Sequence, residues 1–347
     1  MKKNYEYSFV RFVSMIMIIF CHTFEWIGYT LGVSEILGII GNFLAVGVQM
    51  FFILSGILYG RKKWLFEKET YTEFIFRNYK KILKDYYIYA ILVIFPVYFL
   101  ANSGKTDFPH MIYNAFKVLT CSGVIEGVHH LWFIPYILFC YLITPMLYEI
   151  KKQVNTVIRR IIVLIGVLVT FEIIDIAFDS YFIATWINCY VVGFWGPDII
   201  EDLTLTSKKM LLGLSAILLI PVTILWCNAR YIIKPLCSGV LTSMVCEYVI
   251  NFTRAFDALF LVVLAVCGGS KILGRTQKFI SFLECSDRYS YDVFIVHMIY
   301  VKGAFSMLNL TSNYLTNIFC VLVMTIVSAL ILNIISNCLN ISGGGYL

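Results

Sequence analysis

The chain has 347 residues, 60% hydrophobic and 14% charged, with a formal charge of +6 and a mean hydropathy of +0.83. Soluble domains carry about 25% charged residues, so a water-soluble globular protein is excluded, and the basic residues fall in short clusters between apolar runs rather than in a nucleic-acid-binding patch. Eleven scattered cysteines with no Cys-x-x-Cys pair argue against a disulfide framework or a zinc cluster, and no metal is expected.

Apolar runs near bilayer length recur from end to end, which predicts an all-α polytopic integral membrane protein. Lys2, Lys3 and the apolar run behind them resemble a signal peptide. However, Cys-His-Thr-Phe-Glu-Trp stands where cleavage needs small residues, so an uncleaved first span is expected from Ser8 to Tyr29. A second runs from Leu37 to Gly60, and the link between them has Glu35 but no lysine or arginine, so it should face outside. The stretch from Arg61 to Lys84 is the most basic of the chain and should be cytoplasmic, which places the N-terminus there too.

A third span is expected over Asp85–Leu100, then an outer loop to His130. A fourth over Leu131–Ile150 returns to Lys151, Lys152, Arg159 and Arg160. Ile161–Phe178 leads to an acidic outer turn with Glu172, Asp175 and Asp179, and Ile183–Ile200 and Met210–Cys227 follow. Tyr231–Ile250 is apolar enough to cross, yet a full crossing would push the basic link Lys271–Arg288 outside, so a partial or re-entrant segment fits better. Phe256–Cys267, Tyr289–Leu308 and Leu315–Cys338 complete about ten spans, or eleven if Tyr231–Ile250 crosses, with both termini cytoplasmic. Residues 8–340 form the bundle, 1–347 reads as a single membrane domain, and no appended soluble domain is expected.

Candidate chemistry begins in the first span, where Arg11 and His22 are separated by ten uncharged residues. Eleven helical residues turn through about 1100° and rise about 16 Å, so the two side chains share one stripe at different depths. A charged or titratable group at depth is a functional candidate; a snorkelling arginine and a packing histidine would be the structural account. Glu25, three positions on, can meet His22 on the helix surface and orient its imidazole. Ser55-Gly56 is a small-residue notch in the second span, suited to close helix packing or to a ligand. Arg77, Lys80 and Lys81 with Arg11 could form an anion site for phosphates. His129 and His130 stand at a helix start beside Trp132, a place suited to an interfacial aromatic belt, while His297 lies within a late span.

Five of these stretches together resemble the membrane acyltransferase-3 family. They are Arg11-x10-His22; Met50–Gly56 (MFFILSG); Arg77-Asn78-Tyr79-Lys80-Lys81-Ile82; His130-Leu131-Trp132-Phe133-Ile134; and Ser290-Tyr291-Asp292-Val293-Phe294-Ile295-Val296-His297. They occur in order over nearly the whole chain. Asn78 and Lys81 stand where the family has arginines, Ile57 where an aromatic follows Ser-Gly, and Phe294 where tyrosine is common.

The resemblance implies transfer of an acyl group, usually acetyl, from cytoplasmic acyl-CoA to a hydroxyl of a cell-surface or envelope glycan in the cytoplasmic membrane. Arg11, Arg77, Lys80 and Lys81 would hold the acyl-CoA phosphates. His22 would be the general base, with Glu25 orienting it, or would carry the acyl group transiently. Ser55, Gly56, His130, Trp132, Ser290 and His297 would position the substrates. Lipid and the glycan acceptor are the expected partners, with no nucleic acid. The alternative from another class is a transporter or flippase of a glycan intermediate, which would be expected to show paired broken helices near mid-membrane.

Overall fold

Backbone in an apolar phase has to satisfy its own N–H and C=O groups, and a helix does so within one segment. The computed structural model describes residues 5–62, 66–67, 69–122, 125, 127–154, 156–177, 183–201, 204–228, 240–273 and 277–341, and every regular element among them is helical. The turn at Asp179, residues 231–239 of the expected partial segment and the tail beyond 341 lie outside the described residues.

Helix α1 (Tyr5–Glu25) runs into a π turn (Trp26–Thr30), followed by α2 (Glu35–Leu44) and α3 (Val46–Gly60). Helix α4 (Tyr71–Tyr89) continues through a second π turn (Ala90–Ile94) into α5 (Phe95–Asn102); α6 (Phe108–Leu119) follows, capped by Asp107, whose side chain accepts from the His110 N–H at 3.1 Å. A 3-10 turn (His129–Trp132) opens α7 (Phe133–Lys152). Then come α8 (Val157–Ala177), α9 (Ile183–Glu201), α10 (Leu205–Cys227), α11 (Val240–Leu273), α12 (Gln277–Val296), the single turn α13 (Met298–Val301), and α14 (Tyr314–Ile341).

Seven segments among the described residues are long and apolar enough to cross a bilayer, against the ten expected. Ile161–Phe178 and Ile183–Ile200 correspond to α8 and α9, but Arg159, Arg160, Glu172 and Asp175 in α8, and Asn188, Pro197 and Asp198 in α9, dilute their apolar character. Three boundaries also differ. The basic residues Arg77 to Lys84 share a 32-residue helical segment, Tyr71–Asn102, with the third span. The described part of Tyr231–Ile250 forms one uninterrupted helix of 34 residues with Phe256–Cys267. The span placed at Tyr289–Leu308 begins earlier, at Gln277, and stops at Val301 after a break at His297.

The chain divides into two compact units, each drawn from distant stretches: one holds Met1–Ile18, Asn42–Thr70 and Leu142–Asp287, the other Ile19–Gly41, Tyr71–Tyr141 and Arg288–Leu347. In the first unit α3 packs on α9 at backbone contact. A Cβ on Gly56 would collide with the Tyr190 carbonyl oxygen, and one on Gly193 with that of Ile53. Small residues at such a crossing let dispersion act between backbones where no hydrophobic drive exists. Lys151, in the basic cluster that follows the fourth expected span, is largely buried. It pairs with Asp198 at 2.9 Å and donates to the Gly60 carbonyl at 2.6 Å, tying α7 to the ends of α3 and α9.

Also in the first unit, α10 meets α11 around the fully buried Asp257, which accepts from the Thr223 hydroxyl and the Trp226 indole N–H, both at 2.8 Å. The second unit joins α4, α12 and α14 by polar contacts. The Tyr291 hydroxyl donates to the Ile82 carbonyl at 2.8 Å, the Asn333 amide to Asp292 at 2.9 Å, and the Ser336 hydroxyl to Asp85.

Valine in place of Gly56 would drive two helices apart. Overpacking of this kind costs about 1–3 kcal/mol, so Gly56→Val is expected to lower the thermal midpoint of the detergent-purified protein by about 2–10 °C. An unchanged midpoint would contradict the backbone contact.

Candidate functional site

The second unit gathers three of the five histidines of the chain. His22 lies in the last turns of α1, His297 at the break between α12 and α13, and His130 in the 3-10 turn that opens α7. The rings of His22 and His297 stack with centroids 5.5 Å apart and planes 20° from parallel. His130 presents its ring edgewise to His297 at 4.8 Å, and Phe294 closes on both. His130 is 2% exposed and His297 fully buried. His130 is thus buried rather than interfacial, whereas His129 beside it is exposed.

Hydrogen bonds set the protons of the two buried rings. His297 Nδ1 lies 2.7 Å from the Phe294 carbonyl oxygen, and His130 Nε2 lies 2.9 Å from that of Ile295. A carbonyl can only accept, so both nitrogens carry hydrogen. Their other nitrogens, His297 Nε2 and His130 Nδ1, are buried and have no hydrogen-bond partner among the described residues. Each imidazole is thereby held in one tautomer with a basic lone pair facing into the protein. Two positive charges at the ring separation of His22 and His297 would repel by about 3 kcal/mol at an effective dielectric of 20.

Glu25 completes this end of α1. Its Oε2 lies 3.8 Å from His22 Nδ1 and 4.0 Å from the Lys302 ammonium. The first distance is beyond a hydrogen bond and within reach of an ion pair with a protonated ring. Directly after Glu25 the helix widens into the π turn, where Leu31 N–H bonds the Trp26 carbonyl at 3.0 Å; such turns are frequent at functional positions. Ligand atoms of Cys21, His22 and Glu25 all lie within 4.8 Å of one another. A thiolate, an imidazole and a carboxylate are donors of the kind zinc takes, so these are the residues through which a metal could be held.

The other expected site residues are dispersed. Arg11, in the first unit, is paired with Asp287 at 2.6 Å, and the same carboxylate accepts from the Ser8 hydroxyl at 2.7 Å. Ser55 and Gly56 are also in the first unit, where Gly56 serves the α3–α9 crossing. In the second unit Arg77, Lys80 and Lys81 are exposed on α4, with the Arg77 guanidinium 5.6 Å from the Phe74 ring. Trp132 packs against Tyr136, and Ser290 is buried on α12, one helical turn before Phe294 and two before His297. Sequence reasoning missed Lys302 and Asp287. Lys302 carried a legible signal, being a lysine inside an expected apolar span, whereas Asp287 was lost among the basic residues of its link.

A family model described as an acyltransferase domain matches residues 4–334. No curated protein matches the chain, and no solved structure does.

The tautomers give a direct test. In long-range 1H–15N spectra of histidine-labelled protein, His297 should carry its proton on Nδ1 and His130 on Nε2, each signal assigned by loss in the His297→Gln or His130→Gln variant. The opposite tautomer at either ring would contradict the hydrogen bonds to Phe294 and Ile295.

Proposed function

Because the chain belongs to the membrane acyltransferase-3 family and is an acyltransferase, we propose that it moves an acyl group, acetyl in the ordinary case, from cytoplasmic acyl-CoA to a hydroxyl of an envelope glycan. The observation that carries the site assignment is the His22 ring, stacked on His297 and set beside Glu25. In this reading Glu25 orients the imidazole through Nδ1, and Nε2 takes the proton of the acceptor hydroxyl. The acceptor oxygen attacks the thioester carbonyl, the C–O bond forms, the C–S bond breaks, and the CoA thiolate leaves with a proton. Positioned general bases contribute about 10²–10⁴-fold, and the long His22–Glu25 distance is one that substrate binding would shorten.

His297 and His130 are second members of the same device. Their fixed tautomers offer lone pairs to a hydroxyl or to the proton leaving His22. The cations are assigned to the donor. Exposed Arg77, Lys80 and Lys81 are suited to phosphate oxygens, and Arg11 keeps most of its guanidinium donors while one is used on Asp287. The transporter alternative would be expected to show paired broken helices near mid-membrane; Tyr231–Ile250 hinted at one, and its described part, from Val240, is unbroken.

Glycan O-acetylation in a deletion strain complemented with wild type or His22→Ala tests the proposal. Complementation by wild type and loss of at least about 100-fold in the variant, at equal membrane expression, is expected; full modification with His22→Ala would remove the catalytic assignment. Arg11→Ala should raise the apparent KM for acyl-CoA about tenfold, the effect of one charge-assisted hydrogen bond. An unchanged donor dependence would leave Arg11 as an anchor for α1 through Asp287.

A further inference from the structure

A cavity of about 270 Å³ lies in the second unit, walled by the end of α5, the residues before the 3-10 turn, and the segment that follows His297. Tyr98 and Asn102 come from α5, Gly127 from the approach to the 3-10 turn, and Ile299, Lys302 and Gly303 from α13 and just beyond. Gly127 holds φ at +85°, and a Cβ there would come within 3.0 Å of Gly303 Cα, so this wall is backbone against backbone. The cavity is small beside the ~300–1,000 Å³ typical of ligand pockets. It suits one sugar-sized unit and not a chain of them.

Its polar groups are of both kinds. The Tyr98 hydroxyl accepts from the Asn114 amide at 2.8 Å, which leaves its own proton to donate. Asn102 spends one N–H on the Tyr98 carbonyl at 2.9 Å, and its amide oxygen has no hydrogen bond among the described residues. The Lys302 ammonium has three donors and is engaged loosely, by Glu25 at 4.0 Å and the Trp26 ring at 5.8 Å. Hydroxyl groups donate and accept at once, so a mixed lining of donors and acceptors suits a polyol. Lys302 alone among the described lining residues is charged, and it faces a carboxylate, which favours a neutral sugar over a polyanion.

The same lysine connects the cavity to the chemistry. Glu25, its carboxylate partner, is the residue beside His22, and Ile299 of the cavity wall stands two positions after His297. We propose that this cavity receives the acceptor, a neutral sugar unit, and that Lys302 is its positioning residue, holding one oxygen of the ring so that a neighbouring hydroxyl meets His22. The inference rests on the acyl-transfer reading given above and names where that reaction's second substrate sits.

The test uses membranes carrying the full-length protein, labelled acetyl-CoA as donor, and glycan extracted from the deletion strain as acceptor, titrated at fixed donor. Lys302→Met should raise the apparent KM for the glycan at least tenfold while leaving that for acetyl-CoA within twofold, and Lys302→Arg should restore most of the affinity. Ala101→Trp, which would fill the cavity from α5, a wall that carries neither Glu25 nor the histidines, should act in the same direction. An unchanged glycan KM in both Lys302→Met and Ala101→Trp would overturn the proposal. So would a fall in kcat alone with a displaced pH–rate profile in Lys302→Met, since the lysine would then act through Glu25. Absence of any transfer by wild type, or transfer retained in His22→Ala, would instead strike the underlying reading.

Discussion

The histidine cluster depends on a break in one helix. Helix α12 ends at Val296 and the chain resumes as α13 at Met298. In the last turn before this break the carbonyls of Phe294 and Ile295 accept from the imidazoles of His297 and His130, at 2.7 and 2.9 Å. One helix end therefore fixes two side chains from different parts of the chain, chooses their tautomers, and leaves a lone pair on each. The stacking of His22 follows from it, because His297 is held in place by its own backbone. Burial of an imidazole costs a few kcal/mol unless it is hydrogen-bonded, and the break supplies the acceptors that make burial affordable.

Elsewhere in the protein the same rule is met by pairing. Asp257, Asp292 and Asp198 are buried or largely buried, and each has a named donor: Thr223 and Trp226, Asn333, and Lys151. Arg11 and Asp287 follow this pattern, so the arginine near the start of the first span is paired with a carboxylate. The loop after α13 is organised by the buried Asn317, whose amide donates to the carbonyls of Leu308 and Thr311 at 2.7 and 2.8 Å, which orders the chain that leads away from Lys302.

Much of this was legible in the sequence, for reasons that can be stated residue by residue. Helical class and the membrane environment followed from composition, since apolar runs of bilayer length have few other solutions. His22 with Glu25 was readable because both sit on one helix, where spacing alone determines the face. His297 beside His22 was not readable from spacing: the two are 275 positions apart in number, and no periodicity reports such a contact. His130 was misplaced because a histidine pair next to tryptophan looks interfacial, and nothing in the sequence announces that Phe294 and His297 close over one of the two. Lys151 shows the same limit of local sequence. A lysine at a helix end satisfies the positive-inside pattern whether it meets headgroups or, as here, Asp198 and the Gly60 carbonyl.

Helix α11 has a consequence of a different kind. Its 34 residues rise about 51 Å, while hydrocarbon is about 30 Å thick. Even at a tilt of 40°, the upper end of the usual range, the helix would project about 39 Å along the bilayer normal. A helix of this length that crosses the bilayer has turns to spare beyond the hydrocarbon. A thicker or thinner bilayer would change how many of them emerge, a tolerance to membrane thickness that a span of minimal length would lack.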